Sequence, residues 1–231
     1  MLIKEIEPFL TLDEIEKWKA NRMQMDIAAF VHLMRRLEPR DKPYHILELG
    51  TGATTPCWQT IIQREILPIQ LISVHHDQHA VAAFQKQLKG VEGIELRCSK
   101  LKQIDDQEWE KLFTHASQVD TWDLFNQLGK DVAPSDYALY TIRNAFYADL
   151  KQSLPDEEKV DVLILAGPYG NGRSLAFPLL YQYASKEMLI LIHHFDDYDI
   201  LHDLSRVFNY NEIYREVRGY ERWILLQLKK E

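Results

Sequence analysis

The 231-residue chain is 46% hydrophobic and 27% charged, which excludes a disordered polymer and allows one substantial buried core. Its net charge is −8 with no dense basic run, so nucleic acid is not expected as a partner. No run of about 20 apolar residues marks a membrane span, the first residues lack a signal-peptide core, and the chain reads as cytoplasmic with no membrane partner.

Thr11-Leu12-Asp13-Glu14 has the form of a capping box and predicts a helix start. Ile27, Phe30, Val31, Met34 and Leu37 then recur at helical spacing, until Pro39 and Pro43 close the region. Residues 1–42 are thus expected to form an N-terminal helical extension of a single domain spanning 1–231.

Short apolar runs then alternate with helical patterns. The runs are His45–Leu49, Leu71–Val74, Ile94–Cys98, Val160–Ala166 and Met188–Ile192. Several are continuous, as strands covered on both faces should be. Helices are expected at Thr54–Glu65, Gln78–Leu88, Arg173–Ala184 and Ile200–Phe208. The repetition predicts a doubly wound α/β fold with a mostly parallel sheet. Glu212–Val217 and Arg222–Leu228 are separated by four residues, too few for a crossover, so they should close the sheet as an antiparallel hairpin. Seven strands are therefore expected.

Residues 100–159 exceed an ordinary crossover. Tyr137, Tyr140, Ile142, Phe146 and Leu150 suggest a helix there, whereas Gln118 to Pro134 has no clear period. The segment reads as a helical insertion beside the pocket, or as an elongated surface crossover. The two cysteines, Cys57 and Cys98, imply no disulfide framework and are expected to be reduced and packed.

The first strand ends in Glu48-Leu49-Gly50-Thr51-Gly52-Ala53-Thr54. Glycines here permit a sharp turn and a close ligand approach, and the next helix points its N-terminus at the same place. A dinucleotide fingerprint would need a third glycine where Thr55 stands. The fourth run leads into Gly167-Pro168-Tyr169-Gly170-Asn171-Gly172-Arg173, a compact loop followed by an arginine able to clamp a carboxylate or phosphate.

The first segment resembles motif I, acid-x-Gly-x-Gly, of class I S-adenosylmethionine-dependent methyltransferases. The second is similar to the Asp-Gly-Pro-x-Gly loop of a subset of them, and the resemblance spans most of the chain, including the final hairpin. It implies S-adenosylmethionine as cofactor, with Glu48, Gly50, Thr51, Gly52 and Gly167 bordering it, and a small molecule or glycan as methyl acceptor. Three positions depart from the family. His75 stands where strand 2 should present an acid to the ribose, with Asp77 as a substitute two residues on. Ser99 is the nearest polar group where an acid would meet the adenine, and Ala166 replaces the aspartate of Asp-Gly-Pro. Alanine can neither take a proton nor bind a cation.

His193-His194-Phe195-Asp196-Asp197 follows the fifth run, and His75-His76 follows the second. By the family's strand order these clusters stand about 14 Å apart, too far to share a metal ion, and no metal is expected. His194 and Asp196 are the candidate proton acceptors, and Arg173 the acceptor clamp. Trp109 and Trp122 are candidates to line an acceptor pocket. Two functions follow: a methyltransferase, or a catalytically silent domain of that fold serving as a binding module. The sequence leaves the oligomeric state open.

Overall fold

A computed structural model describes residues 27–88, 90–137, 142–154, 159–219 and 221–229. The expected capping box at Thr11 lies outside them. The elements run α1 (Ile27–Met34), β1 (Tyr44–Leu49), α2 (Thr55–Gln63), β2 (Ile69–His75), α3 (Gln78–Gln87) and β3 (Ile94–Cys98). There follow β4 (Leu101–Gln103), α4 (Asp106–His115), α5 (Thr121–Leu128), β5 (Lys130–Asp131) and β6 (Ala145–Tyr147). The chain finishes with β7 (Val160–Leu165), α6 (Ala176–Leu180), β8 (Ala184–His193), α7 (Ile200–Val207), β9 (Tyr210–Arg218) and β10 (Glu221–Leu228).

Seven strands form one sheet in the order β3-β2-β1-β7-β8-β10-β9. Pairing is parallel from β3 through β8, and β10 joins β8 and β9 antiparallel. β1 pairs with β2 on one side and with β7 on the other, so the strand order reverses between β1 and β7. A crevice opens at such a reversal because the flanking crossovers depart to opposite faces.

The continuous apolar runs are explained by burial on both faces. Leu47, Leu49, Leu163 and Leu165 point into one core, while Ile46, Val162 and Ile164 point into the other. On the second face Phe30 of α1 meets Trp58 of α2 edge to face at 4.7 Å. Such a pair contributes about 0.5–1.5 kcal/mol beyond the area it buries. Trp58 and Trp223 are both fully buried, as core residues should be.

The insertion departs from its expected form. Besides helices it carries a three-stranded sheet, β5-β4-β6. The aperiodic stretch contains α5, which spans only two turns: Asp120 caps it and Trp122 and Phe125 bury one side. The stripe Tyr137–Leu150 is not one helix. Asn144 adopts φ +54°, which breaks a right-handed helix, and Ala145–Tyr147 pairs with β4 as a strand. Phe146 and Tyr147 are both fully buried, so this strand shows no alternation. The helix expected over Arg173–Ala184 is also broken, with α6 flanked by 3-10 turns and β8 already begun at Ala184. Cys57 is buried as expected, whereas Cys98 is exposed, since its strand β3 is the sheet edge.

Candidate functional site

The two glycine turns meet. Gly50 has φ +102°; a Cβ there would stand 2.8 Å from the Gly167 nitrogen and 3.0 Å from the Ala166 carbonyl carbon. The Leu49 carbonyl accepts from both the Ala166 amide (2.8 Å) and the Gly167 amide (2.7 Å). The loop after β7 opens with a cis Gly167–Pro168 bond. The turns that leave β1 and β7 are thus in backbone contact at the strand-order reversal, a closeness that side chains would prevent.

Glu48 anchors the first turn from below. Its buried carboxylate accepts from the Thr54 amide (2.5 Å), the Thr54 hydroxyl (2.8 Å), the Thr55 hydroxyl and the Ser73 hydroxyl (2.5 Å). Thr55 also accepts from the Gly52 amide, and Trp58 Nε1 donates to Thr54. Ser73 further bonds the Thr51 hydroxyl at 3.0 Å. Thr54, Thr55 and Ser73 therefore belong to the site's frame. None of the three is among the residues expected from the sequence, although two hydroxyls opening a helix six and seven residues after an acid are a legible signal. Gly52, with φ +95°, lies under the ring of Phe84, whose atoms approach its Cβ position to 2.5 Å.

At the end of β2, His75 Nδ1 accepts from the Asp77 amide at 2.9 Å. Burial lowers the His75 pKa, so the ring is neutral with its proton on Nε2, leaving one N–H donor. His76 stacks on it at 4.6 Å and meets Tyr137 edge-on at 5.3 Å. Burial, then the neighbouring His75, pushes His76 down to about 4. Asp77 caps α3, accepting from the amides of His79 (2.7 Å) and Ala80 (3.4 Å). Ser99 is buried; it donates to the Lys100 carbonyl and accepts from the Asp149 amide, pinning the insertion to β3.

Arg173 is only 4% exposed. Its guanidinium donates to the carbonyls of His193 (2.6 Å), His194 (3.2 Å) and Gly170 (3.4 Å). Instead of reaching outward it ties the β7 loop to the end of β8. His194 sits at φ +49°, with Nδ1 3.7 Å from Asp197. His193 packs against it at 4.1 Å, and burial, then the charges of His194 and Arg173, pushes His193 down to about 3. Asp196 is held by Arg222 at 2.5 and 3.0 Å. Among the described residues no three His, Cys, Asp or Glu side chains gather as a metal site.

Beside the β7 loop a cleft of about 600 Å³ opens between the insertion and α7. Asp106, Trp109 and Arg143 line one wall, Tyr198, His202 and Asp203 the other, with Gly170 and Asn171 at the loop. Asn171 holds the loop to the insertion through paired bonds with Asn144 of 3.0 and 2.6 Å. Trp109 lines this cleft, whereas Trp122 is a fully buried core residue. No helix among the described residues is long and apolar enough to cross a membrane.

The fold is a Rossmann-like methyltransferase fold. No family model matches the chain, and neither does any curated protein. Solved structures do match. A precorrin-6y C5,15-methyltransferase from Geobacter metallireducens is 10% identical with a TM-score of 0.48, the match covering 87% of this chain and 88% of that one. The methyltransferase domain of the citrinin polyketide synthase is 12% identical with a TM-score of 0.46, over 88% of this chain. A 16S rRNA methyltransferase from T. thermophilus, solved in complex with AdoMet and guanosine, is 14% identical with a TM-score of 0.48, over 90% of this chain. This chain spans 52% of the length of the polyketide synthase domain and 44% of that of the rRNA enzyme.

The expectation that excluded nucleic acid is overturned. The matched structures include that rRNA methyltransferase, an rRNA methylase from Streptococcus thermophilus and a fibrillarin pre-rRNA processing protein. Net charge does not decide the matter, because it sums over the whole surface whereas a partner meets one local patch.

Proposed function

We propose that this chain is an S-adenosylmethionine-dependent methyltransferase whose cofactor rests on the Gly50 and Gly167 turns. The observation that carries this reading is their backbone contact at the strand-order reversal, where open α/β sheets take their ligands. The residues present fit the cofactor. Two side-chain-free turns form its cradle, and the neutral His75 ring offers Nε2–H to one ribose oxygen in place of the two oxygens of an acid. Asp77 is engaged as a helix cap, and Glu48 supports the cofactor through the turn it braces rather than by contact. Thr51 and Gly52 continue that turn, and Ser99 holds the wall beneath the adenine end. When bound, the cofactor supplies an electrophilic methyl group on a sulfonium.

The acceptor would enter by the cleft between the insertion and α7, whose size suits a small molecule, a sugar unit or a single base. His194, partly exposed beside Asp197, is the candidate proton acceptor. Asp196 is the weaker one because Arg222 holds it. Arg173 acts as a brace that keeps the loop and the β8 end in register.

A second reading is a catalytically silent binding module of the same fold. Ala166 at the end of β7, together with the engagement of Arg173 and Asp196, favours it. Calorimetry with S-adenosylmethionine and its demethylated product tests the first reading, which predicts binding in the micromolar range. Absence of binding to both compounds removes it. Binding without methyl transfer to any acceptor supports the second.

A further inference from the structure

The cleft between the insertion and α7 has walls of uneven charge. Four carboxylates line it, Asp106 and Glu110 from α4 and Asp199 and Asp203 at the start of α7. Against them stand the guanidiniums of Arg143 and Arg206 and the imidazole of His202. Both guanidiniums already face carboxylates. Arg206 holds Glu110 at 2.6 and 3.3 Å and reaches Asp203 only at 3.8 Å, and Arg143 lies 3.8 Å from Asp106. What remains is a pair of carboxylates on the α7 wall. The Asp203 side chain is only 15% exposed, and burial lifts its carboxyl above the usual range despite Ser174 and the shared Arg206. Asp199 adds a second negative charge beside it, and its side chain makes no capping bond to the helix it opens. A half-buried carboxylate that shares its guanidinium with another acid is short of positive charge.

We infer that this cleft selects a cation: the acceptor it admits carries an amine, amidine or guanidine that pairs with Asp199 and Asp203. As a statement about the methyl acceptor this rests on the methyltransferase reading above. The cation is the anchoring end of the acceptor and not the atom methylated, because a protonated nitrogen has no lone pair with which to attack a sulfonium methyl. Binding energy taken at that end positions the rest of the molecule for reaction. Trp109, in the facing wall, offers an aromatic surface to the hydrocarbon beside the charge. An anion of the same shape meets like charge on the α7 wall and is disfavoured.

The test follows the Trp109 indole N–H, assigned from the Trp109→Phe spectrum, in NMR titrations with benzamidinium, benzamide and benzoate. These planar probes share one shape and are cationic, neutral and anionic. Wild type should bind benzamidinium at least about fivefold more tightly than benzamide, and benzoate least of all. Asp199→Asn and Asp203→Asn should each lower benzamidinium affinity about threefold and leave benzamide unchanged. Glu92→Gln, at an exposed acid before β3 on the opposite end of the sheet, removes the same net charge and should change nothing. No binding of benzamidinium, equal affinity for the three probes, tighter binding of benzoate, or an equal loss in Glu92→Gln overturns the inference. Calorimetry with S-adenosylmethionine separates the two readings. Cofactor binding without charge selection in the cleft keeps the methyltransferase and removes this inference. Charge selection without cofactor binding leaves a cation cleft and removes the methyltransferase, and the acceptor role with it.

Discussion

The Arg173 guanidinium donates to the His193 carbonyl at 2.6 Å, so one buried cation joins the loop after β7 to the last residue of β8. Removing the side chain leaves three carbonyls to find other donors. Arg173→Ala should therefore cost about 2–4 kcal/mol of stability, read as a lowered urea midpoint. A midpoint equal to wild type would show that the guanidinium is free to serve a ligand instead.

Glu48→Gln replaces a four-bond carboxylate with a group that has one acceptor oxygen and an amide pointing at donors. The expected loss is about 2–3 kcal/mol in chemical unfolding. Thr55→Val, which removes only one of those donors, should cost less than Glu48→Gln. The reverse order would mean that the carboxylate is not the hub of the turn.

Gly50→Val combines an unfavourable φ of +102° with a Cβ 2.8 Å from the Gly167 nitrogen. Strain of this kind costs about 1–3 kcal/mol, and the displaced turn should lose at least about tenfold in S-adenosylmethionine affinity, roughly 1.4 kcal/mol. Gly90 is the control: it also has positive φ, +83°, but a Cβ there meets nothing within 4 Å. Gly90→Val should lower stability and leave cofactor binding intact. Calorimetry on the pair separates turn geometry from general destabilisation.

Two histidines set an acid limit. An unfolded histidine titrates near 6.5, whereas in the fold His76 lies at about 4 and His193 at about 3. Between these values the unfolded chain binds more protons than the native one, so stability falls as pH drops. The contribution is whole above about pH 6.5 and is lost as pH falls toward about 4 for His76 and about 3 for His193. His76→Gln should flatten the dependence of the urea midpoint across the window from about 6.5 down to about 4. An unchanged slope would place His76 in water.

Much of the sheet was legible in the sequence because strands covered on both faces leave continuous apolar runs, and the hairpin because four residues cannot carry a crossover. The glycine turns were legible for the same local reason. The insertion was not. β6 buries two consecutive residues, Phe146 and Tyr147, erasing the alternation that marks a strand, and the positive φ at Asn144 has no signature in hydrophobic spacing. The role of Arg173 was hidden because its partners include backbone carbonyls twenty residues away, which carry no side-chain pattern. The meeting of Gly50 with Gly167, and of Gly167 with Tyr147, is a product of tertiary packing alone.

Gly172 lies flush on the Ala145 backbone, where a single added carbon would collide with the carbonyl oxygen. The insertion is therefore welded at its inner strand to the loop after β7, while α4 and α5 add Trp109, Phe113, Trp122 and Phe125 to the same core. Amides of β6 and of the Gly170–Arg173 turn should exchange with solvent in one cooperative opening. A change at this seam is then felt on both sides at once, by the strand of the insertion and by the turn that follows β7.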